Sequence, residues 1–305
     1  MSDTIASLHR KISGAHDLQS VVRTMKAVAA SSIGQYEKSV LSLADYYHII
    51  ELGLGVCFRE NGLTPLIAER KTESGSIAMG AVVFGSDQGL VGQFNDVVTD
   101  LTVKTLASSP AKPCEVWAVG ARVHARLAEA GMPPVGLFNV PNSVNAITQL
   151  VGKILVESEA HHSQFKVTEL HLFYNRPTSG AGYIPITQRL LPLDEEWRRK
   201  LSELPWPTKN LPEYLGNGTG ILRAFINGYL FVSIFRACAE SLASENASRL
   251  AAMQRADKNI EDLLLDLNST FHRLRQSGID EELFDVISGF EALNAKKKSS
   301  NQVLH

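Results

Sequence analysis

A glycine-rich segment at residues 85–92, with the sequence GSDQGLVG, offers the clearest opportunity for chemistry. It follows an apolar run of strand length at 77–84 and precedes a helical pattern that begins near Gln93. The backbone amides of such a turn can bind the phosphates of a nucleotide. However, the glycine spacing is not that of a dinucleotide-binding loop, and no Lys-Ser or Lys-Thr pair follows it. We favour a tight turn with a contact role, and nucleotide binding is the alternative.

The remaining reactive side chains form no recognisable catalytic or metal-binding set. The acidic run at 194–196 stands directly before the basic run at 198–200, an order typical of the first turns of a solvated helix. The nine histidines show no ligand spacing, and the adjacent pair at 161–162 would diverge on a helix. The cysteines form no CxxC pair and are predicted to be reduced and buried; they are Cys57, Cys114 and Cys238. The sequence therefore predicts no catalytic residue, no cofactor and no metal ion.

Residues 220–293 carry an apolar stripe with helical spacing and no proline. Steps of three and four alternate along it; the stripe consists of Leu250, Met253, Ile260, Leu264, Leu267, Phe271 and Leu274, then Ile279, Leu283, Ile287 and Phe290. A mean repeat of 3.5 residues indicates a partner helix in a coiled coil. If continuous, this helix would be on the order of 100 Å long. Most of it must therefore leave its own domain and be covered, at least in part, by something else.

The first stretch, 2–54, has a matching stripe. Its members are Ile5, Leu8, Ile12, Ala15, Leu18, Val22, Met25, Ala29, Tyr36, Val40, Leu43, Tyr47 and Ile50. We expect residues 1–58 and 209–295 to pair as a long antiparallel coiled coil with a domain inserted between them. The alternative is two buried helices of an ordinary bundle, but the second stripe is far longer than the average globular helix of about 11–12 residues.

The intervening residues 76–192 predict a Rossmann-like α/β domain. Strand patterns occur at 77–84, 115–119, 135–140, 167–174 and 184–191, with helical patterns after each of the first three. This alternation indicates a mostly parallel sheet covered by helices. The fifth strand is expected to run antiparallel to the fourth, across a turn-rich segment. Residues 193–219 are predicted to be an irregular connector and 296–305 a solvated tail.

Charge and hydropathy exclude several functional classes. The formal net charge of −2 gives no case for nucleic-acid binding. The start of the chain carries no secretory signal, and no run of about 18 apolar residues predicts a membrane span. We expect a cytoplasmic protein, or one that is held at a membrane only through partners.

Several segments resemble the gamma subunit of F-type ATP synthases. MKAVAAS at 25–31 is similar to that family's M-x-x-V-A-A-S, and ESLASE at 240–245 followed by RLAAM at 249–253 to its E-S-x-A-S-E…R-M-x-A-M. The closing motif R-Q-x-x-I-T-x-E-L-x-E-I-x-x-G is matched by RQ at 275–276, Ile279, EL at 282–283 and Gly289. SDQGL at 86–90, with Gly92 and FN at 94–95, is similar to S-D-R-G-L-C-G-x-F-N. The likeness covers nearly the whole chain in the correct order.

The resemblance implies a non-catalytic rotor shaft. It implies that the terminal helices pass through a hexamer of alternating alpha and beta subunits, with one gamma per three of each. The α/β domain would lie beside the epsilon subunit, and the base on the membrane's c-ring. Peripheral attachment to the cytoplasmic face of a bacterial or archaeal inner membrane follows, with no nucleic-acid partner. The resemblance also implies positions that contact beta subunits; these are Arg275, Gln276, Met25, Lys26 and Gln88.

This chain departs from the family pattern at several of its motif positions. Gln88 stands where the family has arginine, which removes one ion pair with beta, and Val91 stands where it has cysteine. Ser32 replaces the usual lysine and Asp280 the usual threonine. Such drift suits a divergent branch, for which a sodium-driven enzyme is one hypothesis. The coupling ion and the working direction stay open.

Two other classes of function remain as alternatives to the rotor shaft. A free-standing nucleotide-binding enzyme with a coiled-coil dimerisation arm would use the loop at 85–92 and bind a nucleotide saturably. A coiled-coil scaffold would self-associate in heptad register. The shaft interpretation predicts instead an isolated chain that is prone to aggregate and becomes soluble with alpha and beta subunits.

Overall fold

The computed structural model describes residues 4–60, 78–109, 114–165, 167–178, 182–210, 212–213 and 218–302. The helices in these ranges are α1 (Ile5–Ser42), α2 (Ala44–Glu60), α3 (Phe94–Ser108), α4 (Ala121–Glu129), α5 (Val144–Phe165), α6 (Glu195–Glu203) and α7 (Gly218–Gln302). The strands are β1 (Ala78–Phe84), β2 (Cys114–Val119), β3 (Gly136–Phe138), β4 (Val167–Pro177) and β5 (Tyr183–Leu191). The chain divides into a central unit, Ala27–Ala252, and a terminal unit formed by residues up to Lys26 together with those from Met253.

The central unit is built on one five-stranded sheet with the order β3-β2-β1-β4-β5. β1 pairs in parallel with both β2 and β4, and β2 pairs in parallel with β3. β5 is antiparallel to β4, with Phe173 opposite Thr187. The predicted mostly parallel sheet with an antiparallel fifth strand is therefore confirmed.

Helices cover both faces of this sheet, and β1 shows why. Successive side chains of a strand point to opposite faces. Val82 and Phe84 belong to one apolar cluster, which also contains residues of α2, α5 and α7. Ala81 and Val83 belong to a second cluster, which contains residues of α3 and α4. A strand that is apolar on both faces is the expected pattern for a sheet with helices on each side.

Within the central unit, the first part of α7 is a core helix. Between Val232 and Ser248 almost every residue is buried, including Glu240, Ser244 and Glu245. A helix that is buried all round lies inside a domain rather than on its surface. The sequence indicated the length of this helix, but the structure shows that its early turns also complete the core of the α/β unit.

In the central unit, α2 packs closely against the start of α7 and runs antiparallel to it. A Cβ added to Gly53 would lie 2.3 Å from the ring of Phe225, and one added to Gly228 would lie 3.1 Å from Ile50. The rings of Tyr47 and Tyr229 are 6.2 Å apart between centroids. Glycine permits this close approach because it has no side chain to displace the neighbour.

The terminal unit contains the second part of the predicted antiparallel helix pair, in which α1 packs against the later residues of α7. The ring of His9 on α1 lies 6.4 Å from that of Phe271 on α7, and Arg23 contacts Asp257. Leu8 and Ala15 on α1 are buried, as predicted, and so are Met253 and Leu264 on α7. Leu18 is wrong as a stripe position, because its side chain is 61% exposed and the neighbouring Gln19 is buried instead.

Several boundaries differ from the sequence-based expectations. The first long helix, expected over 2–54, is divided at Leu43 into α1 and α2, and α2 continues to Glu60. At the other end of the chain, α7 continues past Leu293 to Gln302. The helix α6 occupies part of the segment expected to be irregular: the Asp194 carboxylate accepts a hydrogen bond from the backbone N–H of Trp197, and Leu201 is buried. Ser143 caps α5, because its hydroxyl oxygen accepts a hydrogen bond from the backbone N–H of Ala146. Cys114 is only half-buried, whereas Cys57 and Cys238 are buried as predicted.

Among the residues that the structure describes, two helical stretches have enough length and apolar character to cross a membrane, Ile5–Glu60 and Gly218–Phe290. In the most apolar 18-residue segment of the first stretch, 28% is buried within the structure, and in that of the second stretch 56% is buried. Because α7 is also the core helix of the central unit, its apolar content is already explained by packing against the sheet.

Candidate functional site

Four of the five predicted contact residues lie in the terminal unit. Met25 and Lys26 are half-buried on α1, and Arg275 and Gln276 are exposed on α7. The helix pairing separates these two sets, because Lys26 lies opposite Asp257, which is roughly 27 Å from Arg275 along α7. Gln88 belongs to the central unit and is exposed. The structure therefore places the predicted contact residues of the helix pair at two separate positions rather than one.

A charged cluster that sequence reasoning missed links the two helices of the terminal unit. Arg23 Nε and Lys26 Nζ on α1 lie 3.2 and 3.1 Å from the two carboxylate oxygens of Asp257 on α7. The Asp257 side chain is 16% exposed. The hydrogen bond from Lys26, followed by that from Arg23, holds the pKa of Asp257 below its usual value. Lys26, predicted as a partner contact, thus also makes an intramolecular ion pair.

We predict that Asp257→Asn weakens the terminal unit in a pH-dependent way. Because the folded pKa of Asp257 is depressed, its ion pairs stabilise the fold above the pKa of an unfolded aspartate and are lost as pH falls through the folded pKa. Urea unfolding of the full chain should show a deficit for the variant near neutral pH that shrinks in acid. Asp266→Asn, at an exposed position on the same helix, is the matched control. Equal deficits at all pH values would contradict the assignment.

Beyond Leu274, α7 carries an uncovered apolar surface. α1 begins at Ile5, and its register with α7 places that start near Arg275. The exposed hydrophobic residues that follow are Ile279, Leu283, Phe284, Val286, Ile287 and Phe290. Contiguous exposed apolar surface of this kind marks an interaction site. The stripe predicted from the sequence is present here, but α1 does not cover it.

The glycine-rich loop of the central unit is held by the protein's own groups. The N–H of Ser86 donates to Asn95 Oδ1 at 2.9 Å, and the side-chain amide of Asn95 donates to Ser86 Oγ at 2.8 Å. The Asp87 carboxylate accepts from the backbone N–H groups of Ala121 and Val140, both at 2.9 Å. Leu90 adopts a left-handed conformation with φ of 64°. These bonds tie the loop to α3, to α4 and to the segment after β3.

The protein's own groups also bond to backbone amides at the starts of α3 and α4. In a dinucleotide-binding fold the phosphate binds at the start of the helix after the first strand, which here is α3. There the N–H of Phe94 donates to the carbonyl of Val91 at 3.3 Å, and the side chain of Asn95 is bonded to Ser86. The N–H of Ala121 is bonded to Asp87, and the N–H of Arg122 donates to the carbonyl of Ser86 at 2.9 Å. A carboxylate at a helix N-terminus occupies the position of the anion. The loop is therefore a turn fixed by intramolecular bonds, and its contact role stays a prediction.

Helix α7 closes the neighbouring edge of the sheet. Ser248 Oγ donates to the carbonyl of Val91 at 2.5 Å, and Ser244 Oγ donates to the carbonyl of Asn175 at 2.9 Å. The side-chain amide of Asn175 donates to the carbonyl of Phe94 at 2.8 Å. In open α/β sheets ligands bind at the carboxyl ends of the strands, where the strand order reverses. In this sheet the strand order reverses between β1 and β4, and α7 packs over the carboxyl ends of these two strands.

A second polar cluster surrounds the buried carboxylate of Glu240 on α7. Arg236 Nε donates to Glu240 Oε1 at 2.7 Å, and Arg176 Nε on β4 donates to Oε2 at 3.2 Å. Arg176 Nη2 also donates to the hydroxyl of Tyr174 at 3.0 Å. Burial raises the pKa of Tyr174 to about 12, so the phenol stays neutral. Glu240 lies in a motif that the resemblance singled out, but its partners on β4 were not predictable from spacing.

The chain is similar to known proteins over nearly its whole length. A protein-family model described as ATP synthase matches residues 4–293. The chain is 28% identical to the "ATP synthase gamma chain" of Arthrobacter sp. (strain FB24), covering 97% of this chain and 100% of that one. It is 27% identical to the protein of the same name from Syntrophobacter fumaroxidans, covering 95% and 99%.

Solved structures give the same fold. The chain superposes with a TM-score of 0.62 on a chain of the Euglena gracilis mitochondrial ATP synthase (OSCP/F1/c-ring, rotational state 3), at 19% identity and 96% coverage of both. A chain of the rotor of the same enzyme in rotational state 1 gives a TM-score of 0.59 at 17% identity, covering 90% of this chain and 98% of that one.

Proposed function

Because the chain belongs to the ATP synthase gamma-chain family, we propose that it is the central rotor shaft of a rotary F-type ATP synthase. The shaft is non-catalytic and couples ion flow through the membrane c-ring to ATP synthesis or hydrolysis in the catalytic hexamer. The observation that carries this proposal is the antiparallel packing of α1 and α7 in the terminal unit, continued by an uncovered apolar stripe on α7. A shaft needs paired helices for stiffness and a surrounding sleeve for that stripe.

The proposed partners follow from the same assignment. The alpha and beta subunits surround the helix pair, and the exposed apolar residues from Ile279 to Phe290 face them. The epsilon subunit lies beside the α/β domain, and the c-ring contacts the base. The complex is peripheral to the membrane, on the cytoplasmic face of a bacterial or archaeal inner membrane. As functional divisions we keep the shaft (1–58 and 209–295), the α/β domain (76–192), the connector (193–219) and the tail (296–305). Within them, α2 and the early part of α7 also belong to the core of the central unit, the connector contains α6, and α7 extends into the tail.

Co-expression with alpha and beta subunits tests the shaft assignment directly. We expect the isolated chain to be prone to aggregation as its concentration is raised, because its exposed apolar stripe has no cover. With alpha and beta present, the purified complex should contain one copy of this chain per three of each, as measured by native mass spectrometry. A stable independent homodimer that ignores alpha and beta would contradict the proposal.

Arg275 and Gln276 are proposed to contact loops of the beta subunits. Both are exposed on α7, and the planar guanidinium of arginine suits a carboxylate partner. Met25, Lys26 and Gln88 are proposed as further contacts with beta. For Lys26 that contact competes with its ion pair to Asp257.

We predict that Arg275→Ala lowers the coupled ATPase activity of the assembled complex severalfold without dissociating it. The reason is that a charge-assisted hydrogen bond between shaft and sleeve is lost. Arg273→Ala, two residues away and also exposed, is the matched control and should keep near-normal turnover. Unchanged turnover and coupling in the Arg275 variant would remove the contact role from that residue.

A further inference from the structure

We propose that a cleft between β5 and α7 in the central unit binds a phosphate-type oxyanion. This arginine cleft has a volume of about 290 Å³. Its lining includes Arg176, Arg236, Gln188, Thr187, Ser233 and Tyr47. Two guanidinium groups and several neutral donors therefore face one space, which is the composition of an oxyanion site.

The two guanidinium groups are held in place before any ligand arrives. Each donates its Nε to a different oxygen of the Glu240 carboxylate, at 2.7 Å from Arg236 and 3.2 Å from Arg176. Glu240 is itself fixed, because its side chain is only 8% exposed on a helix buried on nearly all sides. Arginines oriented in this way lose less conformational entropy when they bind a ligand than free side chains would.

The outer nitrogens of these arginines are the groups that would hold the oxyanion. In the ranges that the structure describes, Nη1 and Nη2 of Arg236 have no bonded acceptor, and Arg176 uses only Nη2, toward the hydroxyl of Tyr174. The Arg176 and Arg236 side chains are 44% and 52% exposed, so a solute can reach them. A guanidinium keeps further N–H donors after its Nε is bonded.

Charge and size identify the ligand class. Two arginines and one glutamate leave the cluster with one excess positive charge, and the remaining lining groups are neutral. A tetrahedral phosphate offers several oxygens to these convergent donors, whereas a single carboxylate offers two. The cleft is larger than inorganic phosphate, so it can also admit a phosphate that carries another group. Free phosphate and the terminal phosphate of a nucleotide share this chemistry.

The experiment is a thermal unfolding titration of the full-length chain at constant ionic strength, with chloride replaced stepwise by inorganic phosphate and, in a second arm, by ADP. A ligand that binds only the folded state raises the midpoint of unfolding in a saturable manner. We expect saturable stabilisation by phosphate in the wild-type chain. A saturable response to ADP at lower concentration would identify the phosphate of a nucleotide as the better ligand, and no response to ADP would identify free phosphate.

Variants on α7 separate the site from general effects of phosphate on proteins. Arg236→Gln removes one guanidinium and should weaken phosphate binding by about tenfold, the value of one charge-assisted hydrogen bond. Arg236→Lys keeps the positive charge and the fold but loses the planar set of N–H donors of the guanidinium. This variant should bind phosphate less tightly than wild type. Arg223→Gln, at an exposed position on the same helix, is the matched control and should bind like wild type.

The proposal is overturned by either of two results. One is a rise of the unfolding midpoint that does not saturate and is the same in all four proteins, since phosphate stabilises many folds by exclusion from their surface. The other is saturable binding that Arg236→Lys and Arg223→Gln weaken equally, which would place the anion elsewhere.

Discussion

Gly120→Ala is expected to destabilise the central unit by about 3–5 kcal/mol, through a strained backbone and a steric clash together. Gly120 has φ of 113° and ψ of 134°, a conformation that residues with a side chain rarely adopt. A Cβ at this position would lie 2.8 Å from the backbone carbon and oxygen of Ser86. Because these are main-chain atoms of the loop after β1, they cannot rotate away.

The matched control for this substitution is Gly152→Ala on α5. A Cβ there meets nothing within 4 Å, so the substitution should be neutral or stabilise the helix by up to about 1 kcal/mol. Chemical unfolding of the two variants, followed by circular dichroism, measures the difference. Equal stabilities would show that the close approach of Gly120 to Ser86 is not a constraint on this fold.

Tyr229→Ala is expected to produce the largest loss of coupling. The Tyr229 ring lies 4.8 Å from that of Trp197 on α6 and 6.2 Å from that of Tyr47 on α2, between centroids. Removing a buried aromatic ring from such a cluster costs about 3–5 kcal/mol. If the central unit transmits torque from the c-ring, loosening α2 against α7 should uncouple the machine. ATP hydrolysis by the complex should persist while ATP-driven ion pumping falls severalfold.

Pumping and hydrolysis can be measured side by side in membrane vesicles that contain the assembled complex. Tyr229→Phe keeps the ring and should remain within about 1 kcal/mol of wild type, with normal coupling. Loss of both activities in parallel in the alanine variant would indicate failed assembly rather than uncoupling. Pumping that stays proportional to hydrolysis in an assembled alanine variant would contradict the prediction.

The long helices were predictable because their stripes are long, and a sustained period is a stronger signal than any single residue. The error at Leu18 shows the limit of that signal. From Ala15 to Val22, steps through either position 18 or position 19 satisfy helical spacing, and hydrophobicity alone favours leucine. The helix places Gln19 against its neighbours instead. Periodicity thus identifies a helix and its approximate face better than the exact residues on that face.

The groups that define the candidate sites were harder to predict, because they depend on register between distant segments. Asp257 meets Arg23 and Lys26 only because α1 and α7 pair at one particular offset. Arg176 meets Glu240 because β4 passes beside α7 in the assembled core. The helix α6 was predicted only in part: the charge order at 194–200 indicated the start of a solvated helix, but the surrounding prolines led us to expect an irregular connector. By contrast, the turn at 85–92 was recognisable from its glycines and its position after a strand.

The fixed offset of the terminal helices constrains how this chain can change in length. Moving from His9 to Arg23 on α1 corresponds to moving back from Phe271 to Asp257 on α7, so the two helices advance residue for residue. A single deleted residue in α1 would rotate every later side chain of α1 by about 100° about the helix axis. Those side chains would then no longer meet their partners on α7. Related proteins of different length should therefore gain or lose residues in both helices together, in multiples close to a heptad.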